Sequence, residues 1–206
     1  MRDEVYSELE LRSGPVVVGV GASAGGLDAF CALLSGLKPD HSLAIVLVQH
    51  LDPDHESLLP EILSKKISAC VQLAEDGMRA EGGHINLIPP GQLLTLNGGC
   101  LRLDAYSKPR GIRRPIDAFF ESLAADAGAR GVGIVLSGTG SDGSTGLRAI
   151  KAAGGLVFVQ DPKQADYDRM PKSAIEAGAA DLVLPTHEMV DVIKDYFSIR
   201  NDLQPS

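Results

Sequence analysis

The chain has 206 residues, 44% of them hydrophobic and 22% charged, which suits one domain with a continuous core. Its formal charge of −8, from 19 Lys and Arg against 27 Asp and Glu, argues against nucleic-acid binding, because that affinity depends on cationic side chains. The three cysteines form no Cys-x-x-Cys pair, and no apolar run approaches the about 20 residues of a membrane span. We therefore expect a cytoplasmic protein without a metal site, a nucleic-acid partner or direct membrane insertion.

Short β-branched runs alternate along the chain with segments of helical period, which is typical of a parallel sheet. The predicted strands are 15–20, 43–48, 69–73, 84–88, 93–96, 101–103, 132–136, 156–160 and 182–184. The predicted helices are 27–34, 56–66, one opening at Pro115, 144–153, 172–177 and 188–197.

These elements predict an α/β fold, with a doubly wound, mostly parallel sheet and helices on both faces. The short strands between 84 and 103 are expected to form an antiparallel excursion, with a hairpin turn at Asn97-Gly98-Gly99. One domain is predicted over 14–198, an N-terminal tail over 1–13 and a C-terminal tail or linker over 199–206. In such sheets ligands bind at the carboxyl ends of the strands, so three loops there hold the candidate chemistry.

The first loop, Gly21-Ala22-Ser23-Ala24-Gly25, has two functional interpretations. As Gly-x-Ser-x-Gly it is typical of a tight strand-to-helix turn that exposes a nucleophilic serine, with free helix amides beside a developing oxyanion. As Gly19-x-Gly21-x-x-Ala24 it also fits a dinucleotide-binding loop. A purely structural glycine turn is the third alternative.

The second loop disfavours the dinucleotide. That fold needs an acidic residue at the end of its second strand to bind the ribose, whereas this strand ends in His50. A histidine placed one strand from a candidate nucleophile can act as a general base. The alternative for His50 taken alone is a hydrogen-bonded or metal-binding histidine.

The third loop, residues 136–144, consists mostly of small residues and contains Asp142 just before a predicted helix. Asp142 alone is best explained as a helix N-cap. Together with Ser23 and His50, however, it could orient the imidazole of a catalytic triad. The order Ser, His, Asp differs from the Ser, Asp, His order of the α/β-hydrolases, so the triad would be a separate, convergent one.

At these residues the sequence resembles the catalytic domain of the CheB-type chemotaxis protein-glutamate methylesterases, over about residues 15–197. The resemblance rests on seven collinear motifs, at 18–26, 48–50, 75–77, 88–91, 114–117, 136–143 and 170–175. It implies that Ser23 attacks a methylated glutamate on a cytoplasmic chemoreceptor helix, that His50 transfers the proton and that Asp142 orients His50. It also implies related deamidation of receptor glutamine, and neither a metal nor an organic cofactor.

The resemblance places the oxyanion donors and substrate-positioning groups at Ala24, Thr139 and Gly140. Family members commonly have Thr and Met where this chain has Ala24 and Thr139, a variation similar to domains fused to a receptor methyltransferase. The chain lacks the receiver domain of the regulated enzymes, so we expect either a stand-alone esterase or part of a larger fusion, with a methyltransferase or receiver domain as a fused or separate partner. The alternative function is a non-catalytic regulatory or scaffold domain of the same fold.

Overall fold

The structure is a computed structural model that describes residues 14–35, 41–50, 58–105 and 114–202. The predicted N-terminal tail lies outside the described residues, as do residues 203–206. Within the described ranges, no helix combines the length and the apolar character that crossing a bilayer requires.

The strands form one large parallel sheet and one small antiparallel sheet. They are β1 (Val16–Ala22), β2 (Leu43–Gln49), β3 (Cys70–Leu73), β4 (His84–Leu87), β5 (Gln92–Asn97), β6 (Cys100–Ala105), β7 (Gly131–Val135), β8 (Leu156–Gln160) and β9 (Leu182–Leu184). The seven-stranded sheet has the order β3-β4-β2-β1-β7-β8-β9, and all of its pairs are parallel. Strands β5 and β6 pair in antiparallel orientation.

Helices cover both faces of the large sheet. They are α1 (Gly26–Leu33), α2 (Leu59–Lys66), α3 (Pro115–Ala127), α4 (Ser144–Ala152), α5 (Arg169–Glu176) and α6 (Thr186–Asp202). Helices α1, α2 and α6 contribute to the core on one face, and α3, α4 and α5 to the core on the other, together with the β5–β6 hairpin. The predicted α/β class, with its doubly wound parallel sheet and antiparallel hairpin, is confirmed.

Strand β1 lies at the centre of the fold and is buried along its whole length. Its side chains alternate between the two cores: Val18 and Val20 lie on the α1 and α6 side, and Val17 lies on the α3 side. Continuous burial of this kind is typical of a parallel strand covered on both faces.

Two glycines of β1 let helix α3 approach the strand closely. A Cβ atom on Gly19 would lie 2.9 Å from the ring of Phe119, and one on Gly21 would overlap the Cγ2 atom of Ile116. Both glycines lie inside β1 rather than in the turn after it. The Gly19-x-Gly21 pattern therefore serves helix packing here, which removes the main support for a dinucleotide-binding loop.

The middle of the chain differs in one respect from the prediction. The strand predicted at 84–88 is part of the parallel sheet, where β4 pairs with β2 and β3. Its last three residues are buried, as expected for a strand inside the sheet. The antiparallel excursion consists of β5 and β6, and the predicted turn joins them at Gly98 and Gly99, both of which have positive φ.

Two helices begin earlier than the periodicity predicts. Helix α5 starts at Arg169 instead of 172. Pro171 is tolerated in its first turn because the backbone amides there have no hydrogen-bond acceptor within the helix. Helix α6 starts at Thr186 instead of 188. It ends at Asp202, so the predicted domain end at 198 falls within this helix. The predicted helix 56–66 begins, in its described part, at Leu59.

The order of the strands places a crevice next to β1. From β1 the chain moves to β2 on one side, and it later returns to place β7 on the other side. This reversal of direction is the point at which open α/β sheets bind ligands, beyond the carboxyl ends of the strands. Ser23 after β1, His50 after β2 and the loop after β7 all lie at these carboxyl ends.

The substitution Gly21→Ala is expected to lower the free energy of unfolding by about 1–3 kcal/mol, because the new methyl group overlaps Ile116. Chemical denaturation followed by circular dichroism measures the loss. In the double variant with Ile116→Ala the opposing side chain is gone, so the loss should be smaller than the sum of the two single losses. Additive losses, or a Gly21→Ala variant as stable as the wild type, would contradict close packing of α3 on β1.

Candidate active site

Ser23 directly follows β1 and is half-buried. Its amide donates to the carbonyl oxygen of Ser137 at 3.0 Å, and the amide of Leu136 donates to the carbonyl of Gly21 at 2.9 Å. These bonds continue the ladder between β1 and β7 past the last paired residues. The backbone is therefore still strand-like at Ser23, and its side chain points to the same face as Gly21, which is the face packed by α3.

His50 occupies the equivalent position after β2. The last register pair of β1 and β2 is Ala22 with Gln49, so Ser23 and His50 are each one residue further on. Neighbouring strands lie about 5 Å apart, and residues two apart share a face. Because Val48 belongs to the core on the α3 side, His50 also faces that side. The structure thus brings Ser23 and His50 to adjacent positions on one face of the sheet.

Asp142 lies in the loop after β7 and contacts His50. Its Oδ2 atom is 3.1 Å from Nε2 of His50, whose side chain is 34% exposed, whereas that of Asp142 is 7% exposed. The same oxygen accepts a hydrogen bond from the amide of Ile116 at 3.1 Å, and Oδ1 accepts from the amides of Asp117 at 3.0 Å and Gly143 at 2.9 Å. A carboxylate with these partners is held firmly against one side of the histidine ring.

The helix that Asp142 caps is not the one that follows it. The sequence suggested an N-cap for the helix starting near 144, but the carboxylate accepts from the first turn of α3, at Ile116 and Asp117. The position before α4 is Gly143, with a φ of 93°. The carboxylate thus lies at the positive end of the α3 dipole while it contacts the ring of His50.

Ser137 connects the nucleophile loop to the aspartate loop. Its hydroxyl donates to the carbonyl of Ala24 at 2.9 Å and accepts from the amide of Tyr167 at 3.0 Å, and its own amide donates to Oε1 of the buried Gln160 at 2.7 Å. The next residue, Gly138, lies between Ser23 and Met170, where a Cβ atom would overlap the sulfur of Met170. Packing and hydrogen bonds therefore fix the loop that borders Ser23.

Backbone hydrogen bonds restrict which amides can face an oxyanion. The amide of Ser23 donates to Ser137, that of Gly26 to Ser23, and that of Gly138 to the carbonyl of Tyr167 at 2.9 Å. Among the hydrogen bonds of the described residues, none uses the amide of Ala24 or Thr139. Ala24 directly follows Ser23, and Thr139 directly follows Gly138, which lies beside Ser23. Their role as oxyanion donors stays a prediction.

Gly140 borders the site on its solvent side. Its φ is 91°, and a Cβ atom there would meet nothing within 4 Å. Its carbonyl accepts from the hydroxyl of Ser173 at 3.3 Å. The loop is open at this point, which leaves room for a substrate, so its predicted positioning role is sterically reasonable.

Across the described residues, no group of three or more His, Cys, Asp or Glu side chains is arranged to hold a metal ion. The arrangement of a serine, a histidine and a carboxylate suits acid–base and nucleophilic chemistry.

The site lies in a sequence region with many relatives. A family model described as CheB methylesterase matches residues 18–193. The chain belongs to the CheB methylesterase family. The catalytic domain of the Thermotoga maritima CheB methylesterase superposes with a TM-score of 0.81 at 28% identity, over 89% of this chain and 99% of that domain.

Curated relatives of this CheB-family chain are longer than the chain itself. A Pseudomonas aeruginosa protein-glutamate methylesterase/protein-glutamine glutaminase is 37% identical over 87% of this chain and 52% of its own length. An uncharacterised 104.1 kDa protein of Rhodobacter capsulatus is 44% identical over 67% of this chain and 14% of its own length. The chain thus spans about half, or less, of the relatives it matches.

Sequence reasoning missed three groups that support the CheB-type site. These are the Ser137 hydroxyl, the buried amide side chain of Gln160 and the carboxylate of Asp117 in α3. Ser137 and Asp117 lie within the resemblance motifs, and Gln160 is a polar residue at the end of an apolar strand. A polar residue at or just after the end of an apolar strand was the available signal for Ser137 and Gln160, whereas Asp117 was marked only by its motif.

The substitution Asp142→Asn is expected to lower the titration midpoint of His50 by about one pH unit or more, because the carboxylate that favours the imidazolium is lost. Nuclear magnetic resonance of the histidine ring signals measures the midpoint, and the His50 signal is identified by its absence in His50→Ala. His187, which is 65% exposed, serves as the internal control. An unchanged His50 midpoint would contradict the contact between the two side chains.

Proposed function

We propose that this CheB-family chain hydrolyses methyl esters of glutamate side chains, with Ser23 as nucleophile, His50 as general base and acid, and Asp142 as the residue that orients His50. The observation that carries the proposal is the contact between the carboxylate of Asp142 and the ring of His50. His50 directly follows β2 and lies next to Ser23, which directly follows β1. The names of the relatives support the ester as substrate.

The first half of the reaction forms an acyl-enzyme. The Ser23 oxygen attacks the γ-carbonyl carbon of the methyl ester while His50 takes the hydroxyl proton, through the ring nitrogen that does not face Asp142. The negative charge moves to the carbonyl oxygen. When the tetrahedral intermediate collapses, the bond to the methoxy group breaks, and His50 returns the proton so that methanol leaves.

The second half releases the product. Water loses a proton to His50 and attacks the acyl carbon, and the bond to Ser23 breaks as His50 returns the proton to the serine oxygen. The amides of Ala24 and Thr139 donate to the oxyanion in both halves, supported by the positive N-terminal end of α1. Gly140 leaves open space where the substrate chain enters.

Glutamine deamidation is a second proposed activity, favoured by the glutaminase in the names of the relatives. The chemistry is the same acyl transfer with ammonia as the leaving group. A primary amide expels a poorer leaving group than an ester does, so His50 must protonate the departing nitrogen. We expect the ester to react faster than the amide.

The proposed partner is a cytoplasmic helix of a methylated chemoreceptor, and the proposed location is therefore the cytoplasm. Because relatives are longer, we also propose that the domain works beside a methyltransferase or receiver domain, fused or separate.

Methanol release tests the nucleophile. A chemoreceptor cytoplasmic fragment carrying labelled glutamate methyl esters is incubated with the wild-type chain and with Ser23→Ala. We expect Ser23→Ala to release methanol at less than about one thousandth of the wild-type rate, because loss of the nucleophile disables the triad as a unit.

The matched control for this test is Ser64→Ala, which removes an exposed serine hydroxyl on α2 that donates to the carbonyl of Pro60. Its rate should equal that of the wild type. Equal release by Ser23→Ala would exclude Ser23 as nucleophile. A wild-type chain that releases no methanol would support the non-catalytic alternative.

A further inference from the structure

Asp117 is a buried carboxylate that the proposed mechanism does not use. It lies in the first turn of α3 and is 5% exposed. Its Oδ1 atom accepts from the amides of Thr145 at 3.0 Å and Gly146 at 2.8 Å. Both amides belong to the first turn of α4, which begins two residues after Asp142.

Asp117 and Asp142 therefore cap each other's helices. Asp142, before α4, accepts from the amides at the start of α3, and Asp117, in α3, accepts from the amides at the start of α4. Each carboxylate thus satisfies amides that have no partner within their own helix. These four hydrogen bonds tie the segment containing Asp142 to α3 from both directions.

Arg114 adds a third connection between the same two segments. Its Nη2 donates to the hydroxyl of Ser141 at 3.2 Å, and its Nη1 lies 3.3 Å from Oδ2 of Asp117. This Oδ2 atom is buried and makes no hydrogen bond of good geometry to the described residues. The guanidinium is a cation in contact with Asp117, and it offsets part of the repulsion between the two aspartates.

The proximity of the two carboxylates has an electrostatic cost. Burial raises the pKa of Asp117, and the charge of Asp142 raises it further, whereas the amides of Gly146 and Thr145 and the cation of Arg114 oppose the rise. A buried acid is kept in such a place only if its hydrogen bonds compensate for the lost hydration. The hydrogen bonds here go to the helix adjoining Asp142.

We propose that Asp117 is a positioning residue for Asp142: by accepting from the first amides of α4, it holds the loop from Ser141 to Gly143 so that the Asp142 carboxylate contacts His50. The proposal rests on the function proposed above. The proposed role requires an acceptor oxygen on the side chain at position 117, but it does not require a negative charge there. Without these hydrogen bonds, Ser23, His50 and Asp142 would all be present, but the carboxylate of Asp142 would be held less firmly against His50.

The test compares Asp117→Ala, Asp117→Asn and the wild type in the full chain, at a temperature where circular dichroism shows all three folded. Asp117→Ala removes both acceptors, and we expect kcat for methyl-ester hydrolysis to fall about tenfold to a hundredfold with KM little changed. Asp117→Asn keeps an oxygen for Thr145 and Gly146, so it should recover most of that loss.

The titration midpoint of His50 is a second readout that does not depend on activity. Asp117→Ala should shift the midpoint downward, toward the value in Asp142→Asn, because the carboxylate moves away from the ring. The matched control is Asp181→Ala, since Asp181 also accepts from a backbone amide, that of Val157, and pairs with Lys151. It lies near the opposite ends of the strands and should change neither kcat nor the midpoint.

The proposal is overturned by a folded Asp117→Ala variant with the kcat and His50 midpoint of the wild type, or by an Asp117→Asn variant as impaired as Asp117→Ala. An equal kcat loss in Asp181→Ala and Asp117→Ala would also overturn the proposal. It would mean that Asp117 contributes to the stability of the fold and not to the position of Asp142. If the wild type hydrolyses no ester, the proposed function fails, and the His50 midpoints still decide the role of Asp117.

Discussion

The carboxylate of Asp142 contacts the N-terminus of α3 and the ring of His50 at the same time, and the rest of the site is arranged around this contact. A buried carboxylate is costly unless its oxygens are hydrogen-bonded, and here both oxygens accept from backbone amides. The helix dipole adds a favourable potential. The position of the proposed base is thereby set by a helix terminus rather than by a flexible side chain.

The location of α3 depends in turn on β1. Gly19 and Gly21 leave space for Phe119 and Ile116, so the first turn of α3 lies against the end of the sheet where Ser23 emerges. Larger residues at these positions would push α3 outward and carry with it the amides that hold Asp142. Strand packing and proposed catalysis are therefore linked through the same two glycines.

The sequence was sufficient for most strands of the parallel sheet and for the neighbourhood of the candidate residues. Strands β8 and β9 have the predicted bounds, and the rule that parallel strands meet at their carboxyl ends was enough to expect Ser23, His50 and Asp142 in one region. The amide partners of Asp142 were not predictable, because Ile116 and Asp117 lie 26 and 25 residues earlier in the chain. Local patterns identified a cap but could not assign it to a helix.

The same limit explains the misplacement of β4 and the ambiguity of Gly19 and Gly21. Short apolar strands do not reveal which neighbour they pair with, and glycine serves close packing and phosphate binding equally well. Both questions are decided by contacts between residues far apart in sequence.

The central claim is that Ser23 becomes covalently acylated during ester hydrolysis. Mass spectrometry of the protein, acid-quenched during turnover of a peptide with a glutamate γ-methyl ester, tests it most directly. We expect a fragment containing Ser23 that carries the peptide acyl group without its methoxy group. An adduct on a different residue, or methanol released in a pre-steady-state burst without any adduct at Ser23, would contradict it.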